Sequence, residues 1–98
     1  MTFAQFKESI KNNEPPQLDV FLLSLWYDGR GDWEKAHDLV NDLEGKEAAR
    51  VHAYLHRKEG DQSNASYWYN RAKATKPSYS LQKEWEEIVI ELLRDNDQ

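Results

Sequence analysis

The stretch that decides the fold is Arg30-Gly31-Asp32-Trp33-Glu34-Lys35-Ala36, RGDWEKA, which recurs in part as EGDQSNA at residues 59–65. In both copies a glycine is followed by an aspartate, and an alanine stands four residues after that aspartate. Glycine commonly ends a helix, and aspartate commonly caps the start of the next. Arg-Gly-Asp is also the tripeptide of cell-adhesion ligands, but its partial recurrence 29 residues later favours a structural joint between helices.

Hydrophobic spacing on both sides of these joints predicts six helices. The second is apolar almost all round, which is typical of a central helix surrounded by its neighbours. No stretch alternates with period two over the length of a strand. A capping box of Thr2 and Gln5 opens the first helix, and Pro15 and Pro16 precede the second. The six predicted ranges are 2–12, 17–28, Asp32 to Leu43, about 46–59, Asp61 to before Pro77, and Ser80 onward.

The two joints also align the helices that follow them. Superposing Gly31 on Gly60 places Ala36 over Ala65 and Val40 over Tyr69. A small residue lets two helices approach closely, and a large one a turn away fills the remaining space. We therefore predict a single all-α domain over residues 1–98, with two antiparallel helical hairpins flanked by an N-terminal and a C-terminal helix.

Residues Ala65, Tyr69, Ala72 and Pro77 show the small, large, small, proline spacing of the second helix in a tetratricopeptide-type repeat, which this chain resembles. Its period of 29 residues is shorter than the usual 34, and Leu43 replaces the second small residue in the first unit. The strings GDW, AH, VHAYLHRKEGD, NA and YWYNRA also resemble a family of small bacterial proteins without an assigned activity. This second likeness covers roughly residues 25–72 and implies no catalytic residues.

Composition narrows the classes of function. The chain has 98 residues, 39% of them hydrophobic and 12% aromatic, so it is expected to fold as one domain. A net charge of −5 argues against a nucleic-acid partner, because phosphate binding requires clustered Lys and Arg. There is no cysteine, no recognisable secretory signal and no apolar run long enough for a membrane span. We expect a cytoplasmic protein that is a monomer or a weak homodimer.

One predicted helix carries a basic and aromatic strip, which consists of Arg50, Tyr54, Arg57 and Lys58. Arg50, Tyr54 and Arg57 share a helical face away from the apolar stripe. Related repeats bind extended peptides on the equivalent face, so the strip is the candidate site for an acidic peptide or protein partner. Local ion pairs on a solvated face, or coverage by the last helix, are the alternatives. The binding hypothesis predicts that Arg50→Glu with Arg57→Glu abolishes partner binding without unfolding the protein.

The chain has three histidines, and they form the sharpest chemical pattern. His52 and His56 lie four residues apart on one helix, a spacing that suits a shared metal ion, and His37 lies on the preceding helix. His52 also borders an apolar stripe, which favours a buried histidine hydrogen-bonded to backbone or tyrosine. The sequence therefore favours a structural role, with a metal or ligand site formed by His37, His52 and His56 as the alternative.

The sequence gives no positive indication of catalysis. It has no cysteine nucleophile and no glycine-rich phosphate loop, and paired carboxylates are common on the surfaces of a chain this charged. The leading expectation is accordingly a small protein-interaction module, neither enzyme nor cofactor carrier. In the YWY triplet, Tyr67 is expected at the surface and the other two rings in the core.

Overall fold

A computed structural model of the chain describes residues 1–96 and confirms the all-α prediction, since these residues form six helices and no strand. Within this part of the chain, no helix is both long enough and apolar enough to cross a membrane. The tetratricopeptide-like arrangement stays a prediction. The helices are α1 (Phe3–Ser9), α2 (Val20–Gly29), α3 (Trp33–Val40), α4 (Lys46–Glu59), α5 (Gln62–Ala72) and α6 (Leu81–Asn96).

The two Gly-Asp joints act as the sequence indicated. Gly31 and Gly60 adopt φ angles of 89° and 90°, in the left-handed region that favours glycine. The Asp32 side chain then accepts a hydrogen bond from the backbone N–H of Lys35, and the equivalent Asp61 accepts one from Asn64. The Arg-Gly-Asp tripeptide is thus a helix stop followed by a helix cap.

Three of the predicted helices are longer than the helices in the structure. The second helix begins at Val20 because the Asp19 side chain caps Leu22, whereas the prolines were expected to start it earlier. The fifth helix ends before Pro77 as predicted, at Ala72, since Lys73 adopts a left-handed conformation with φ 56°. The first and third helices are shorter than predicted, at Phe3–Ser9 and Trp33–Val40.

Helix packing divides the molecule into two helical pairs and a covering helix. Helix α2 packs mainly on α3, and α4 packs mainly on α5, while α6 contacts α1, α2 and α4. The main core lies where these elements meet and includes fully buried Phe6, Leu25, Trp26, Leu55 and Val89. A smaller cluster of Ala53, Ala65 and Tyr69 fills the contact between α4 and α5.

Enlarging Ala65 is expected to test the packing of α4 on α5. Ala65 is fully buried against Ala53 and Tyr69, so Ala65→Leu should overpack the contact and lower the free energy of unfolding by about 1–3 kcal/mol. Asn70→Leu on the same helix is the matched control, because Asn70 is exposed. Denaturant unfolding of both variants measures the difference, and equal midpoints would contradict this packing.

Candidate functional site

The basic strip lies against the last helix. Glu84 of α6 is fully buried and receives a hydrogen bond from each arginine of the strip. Its carboxylate lies 2.5 Å from the Nη1 atom of Arg50 and 2.7 Å from that of Arg57. Arg57 also donates to the backbone oxygen of Tyr79. One buried carboxylate of the same chain therefore pairs with both guanidinium groups.

Tyr69 completes this network from α5. Its hydroxyl donates to Glu84 at 2.6 Å, and the Arg50 guanidinium lies 5.5 Å from the centre of its ring. Burial and the hydrogen bond to Glu84 raise the pKa of Tyr69, so the hydroxyl keeps its proton and acts as a donor. Helices α4, α5 and α6 thus meet at a single buried carboxylate.

The rest of the strip is engaged by a second carboxylate, Asp28 of α2. Asp28 is 2% exposed and accepts hydrogen bonds from the Tyr54 hydroxyl at 2.6 Å and from the Lys58 ammonium at 2.8 Å. Burial, followed by the charge and hydrogen bond of Asp28, raises the pKa of Tyr54, which stays protonated. This network joins the end of α2 to the middle of α4.

The strip is therefore not the free surface that the peptide-binding hypothesis requires, and the alternative of coverage by the last helix holds for its two arginines. Tyr54 is buried, the side chains of Arg50 and Arg57 are 21% and 14% exposed, and only Lys58 reaches 37%. Their acidic partners are Glu84 and Asp28, two residues that sequence reasoning missed. A signal was present, since Glu84 lies one residue before Trp85 on the apolar face of α6. A charged residue on such a face needs a buried partner.

The three histidines meet at the contact between α3 and α4. The ring centre of His37 lies 5.3 Å from that of His52 and 5.2 Å from that of His56. His52 and His56 have ring centres 5.8 Å apart. One ring nitrogen of each histidine lies within 4.8 Å of one from each of the others. The structure thus brings the whole predicted triad together, including His37, whose position the sequence left open.

Hydrogen bonds assign the proton on two of these rings. The Nε2 atom of His52 lies 3.0 Å from the carbonyl oxygen of Val40, which can only accept, so Nε2 is the donor. The predicted hydrogen bond from a buried His52 to backbone is therefore confirmed. The Nδ1 atom of His56 lies 2.6 Å from a carboxylate oxygen of Glu59 and donates to it in the same way. In the neutral rings, His52 Nδ1 and His56 Nε2 carry free lone pairs.

One of these lone pairs has no hydrogen-bond partner within the described part of the chain. His52 is 2% exposed, and its Nδ1 atom is buried without a hydrogen bond. A buried polar atom left in this state is energetically costly, and most such atoms in proteins have a partner or a ligand. Within the cluster, this nitrogen is therefore the atom that a bound ligand would stabilise most.

The protein environment favours the neutral form of His37 and His52 near pH 7. Burial lowers the pKa of His52, and the positive charge of His37 lowers it further, although the hydrogen bond to Val40 opposes them. Burial and the charge of His56 likewise lower the pKa of His37 against the opposing charges of Asp38 and Glu59. Neutral imidazole is the form that binds metal ions.

Two tryptophans hold the ring planes in position. Trp33 stacks on His37 with ring centres 4.9 Å apart, and Trp68 stacks on His52 at 4.2 Å. Trp33 is itself fixed by a hydrogen bond of 2.8 Å from its indole N–H to the carbonyl oxygen of Leu55. The expected division of the YWY triplet is confirmed, since Tyr67 is 51% exposed, Tyr69 is buried and Trp68 packs against the smaller core cluster.

No protein-family model matches this chain, and no curated protein or solved structure resembles it significantly. Of the two sites that the sequence indicated, the basic strip is occupied by intramolecular partners. The histidine cluster contains a buried nitrogen that lacks one.

Proposed function

We propose that this protein binds a divalent transition-metal ion through His37, His52 and His56. The observation that carries the proposal is the unpartnered Nδ1 atom of His52, which is buried within a group of three mutually close imidazoles. A metal ion would satisfy this atom and use the lone pair that the hydrogen bond to Val40 leaves free. The histidine alternative of the sequence thus takes precedence over the peptide-binding hypothesis.

The spacing of the rings suits a tetrahedral ion. Zinc–nitrogen bonds of about 2.0–2.1 Å place each ring centre roughly 3.2 Å from the ion, so tetrahedral geometry separates the ring centres by about 5.2 Å. The separations in the triad are 5.2, 5.3 and 5.8 Å. The ring nitrogens lie within 4.8 Å of one another, so binding would draw them closer together around the ion.

The surroundings of the triad also match those of metal-binding histidines. Such residues usually donate their other ring N–H to a carboxylate or a backbone carbonyl, which fixes the ring and strengthens the ligand. Glu59 supports His56 in this way, and the Val40 carbonyl supports His52. Three imidazole donors favour zinc, copper or nickel over magnesium and calcium, which prefer oxygen. Zinc is the first ion to test because the ring spacing is tetrahedral.

The proposed ion would join the two helical pairs. His37 lies on α3, the partner of α2, whereas His52 and His56 lie on α4, the partner of α5. An ion bound between them would add a link at the contact between α3 and α4. Binding to the folded state alone stabilises that state by mass action.

Titration of zinc into the metal-free protein, followed by calorimetry, tests the proposal. We expect one ion per chain and a loss of affinity of more than about 100-fold in His37→Gln, the variant of the least buried ligand. Glu59→Gln should lower the affinity by about 10- to 100-fold, because it removes the charge that supports His56.

The matched control is Glu91→Gln on α6, an exposed glutamate outside the cluster, which should bind zinc as the wild type does. Circular dichroism should show that every variant keeps its helical content. Absence of stoichiometric zinc in folded wild-type protein, or equal affinity in the wild type and in His37→Gln, would contradict the proposal.

A further inference from the structure

We infer that a metal ion held by His37, His52 and His56 keeps one coordination position for a small donor from solvent, namely a water molecule or a monovalent anion. This inference rests on the proposed function. Among the histidines and carboxylates of residues 1–96, the mutually close group that contains this triad has only three members. A tetrahedral ion needs a fourth ligand, and sites with three protein ligands normally take it from solvent or substrate.

The carboxylate nearest to the triad is already engaged. A Glu59 oxygen lies 2.6 Å from the Nδ1 atom of His56, on the side of the ring opposite the free Nε2 lone pair. Glu59 and Asp61 form a second close group that shares only His56 with the triad. Because the two ring nitrogens of His56 point in different directions, Glu59 supports the ligand from outside and leaves the fourth position open.

The neighbouring tryptophans shield the site without blocking its donors. Trp33 and Trp68 lie nearly parallel to His37 and His52, with interplanar angles of 7° and 14°. Stacking covers the faces of an imidazole, whereas its lone pairs lie in the plane of the ring. His37 is the least buried of the three ligands, so its side of the cluster is the approach for a small ligand.

The net positive charge around the ion favours an anion at the fourth coordination position. Three neutral imidazoles leave the two positive charges of the ion unchanged, and Glu59, whose side chain is 38% exposed, offsets only part of them through its hydrogen bond to His56. A monovalent anion at the fourth position would offset a further positive charge. Buried charge is costly without a partner. Asp38 and Asp61 are exposed, so solvent screens their contribution.

Cobalt(II) substitution tests the open position, because the visible absorption of cobalt reports its ligands. The wild-type protein is loaded with one equivalent of cobalt(II) and titrated with sodium azide, with sodium perchlorate at equal ionic strength as control. We expect a saturable change in the visible spectrum with azide and none with perchlorate. Glu59→Gln, loaded at a concentration high enough to compensate for weaker metal binding, should also respond to azide, and at lower azide concentrations than the wild type, because it lacks the carboxylate that offsets part of the charge of the ion.

The outcomes separate this inference from the proposed function. A cobalt spectrum that azide does not change, in a protein that binds zinc stoichiometrically, would overturn the open position and leave metal binding intact. A response to azide that appears only in Glu59→Gln would identify Glu59 as the fourth ligand, which also overturns it. Failure of the wild type to bind either cobalt or zinc would overturn the proposed function and, with it, the inference.

Discussion

Replacing both Arg50 and Arg57 with glutamate is expected to unfold this protein. The two guanidinium groups lie 2.5 and 2.7 Å from the fully buried carboxylate of Glu84. Removing a partner from a buried ion pair costs about 3–5 kcal/mol, and the double change also introduces two like charges beside Glu84. Domains of this size are stable by only about 5–15 kcal/mol, so little or no folded protein should remain at 25 °C.

Circular dichroism and denaturant unfolding measure this loss. The control is Lys83→Glu with Arg94→Glu, which changes the net charge equally at two exposed positions of α6 and should leave the fold intact. The sequence alone predicted the opposite result, a folded protein that fails to bind its partner. If the double variant unfolds cooperatively near the wild-type midpoint, the two arginines do not stabilise the fold through Glu84. The strip would then be a free surface, and the peptide-binding hypothesis would regain its support.

Replacing Asp28 with alanine is expected to lower the free energy of unfolding by about 3 kcal/mol. Asp28 is 2% exposed and accepts hydrogen bonds from both Tyr54 and Lys58. The alanine variant would leave the buried Tyr54 hydroxyl without its acceptor, while Lys58, whose side chain is 37% exposed, can turn to solvent. Most of the loss should therefore come from Tyr54.

Asp28→Asn separates these contributions. The amide oxygen can still accept from Tyr54, so this variant should lose clearly less stability than Asp28→Ala. Asp42→Ala, at an exposed position of the connection between α3 and α4, is the control and should change stability by less than about 0.5 kcal/mol. Equal denaturation midpoints for Asp28→Ala and Asp42→Ala would show that the buried network does not stabilise the fold.

The hydrogen-bond networks around Glu84 and Asp28 engage the four side chains on which the peptide-binding hypothesis depends. The hypothesis requires Arg50 and Arg57 to bind external carboxylates, but both donate hydrogen bonds to Glu84 of the same chain. Tyr54 and Lys58 are held in the same way by Asp28. All four side chains of the strip therefore have acidic partners within the chain, and the binding of an external acidic peptide stays a prediction.

The sequence by itself determined the features that depend on neighbours within a few residues. Helical spacing, the capping box of Thr2 and Gln5 and the joints at Gly31 and Gly60 are local, because caps and helical faces involve residues three or four positions apart. The pairing of His52 with His56 on one helix follows from the same spacing.

Only the tertiary structure decided what each face contacts. Arg50 and Glu84 are 34 residues apart, and Tyr54 and Asp28 are 26 residues apart, so no local pattern indicates that they meet. His37 likewise reaches the other histidines only because α3 packs against α4. The physical reason is that helix formation is governed by short-range geometry, whereas a buried charge or an imidazole acquires its partner from whichever helix the packing of the core brings against it.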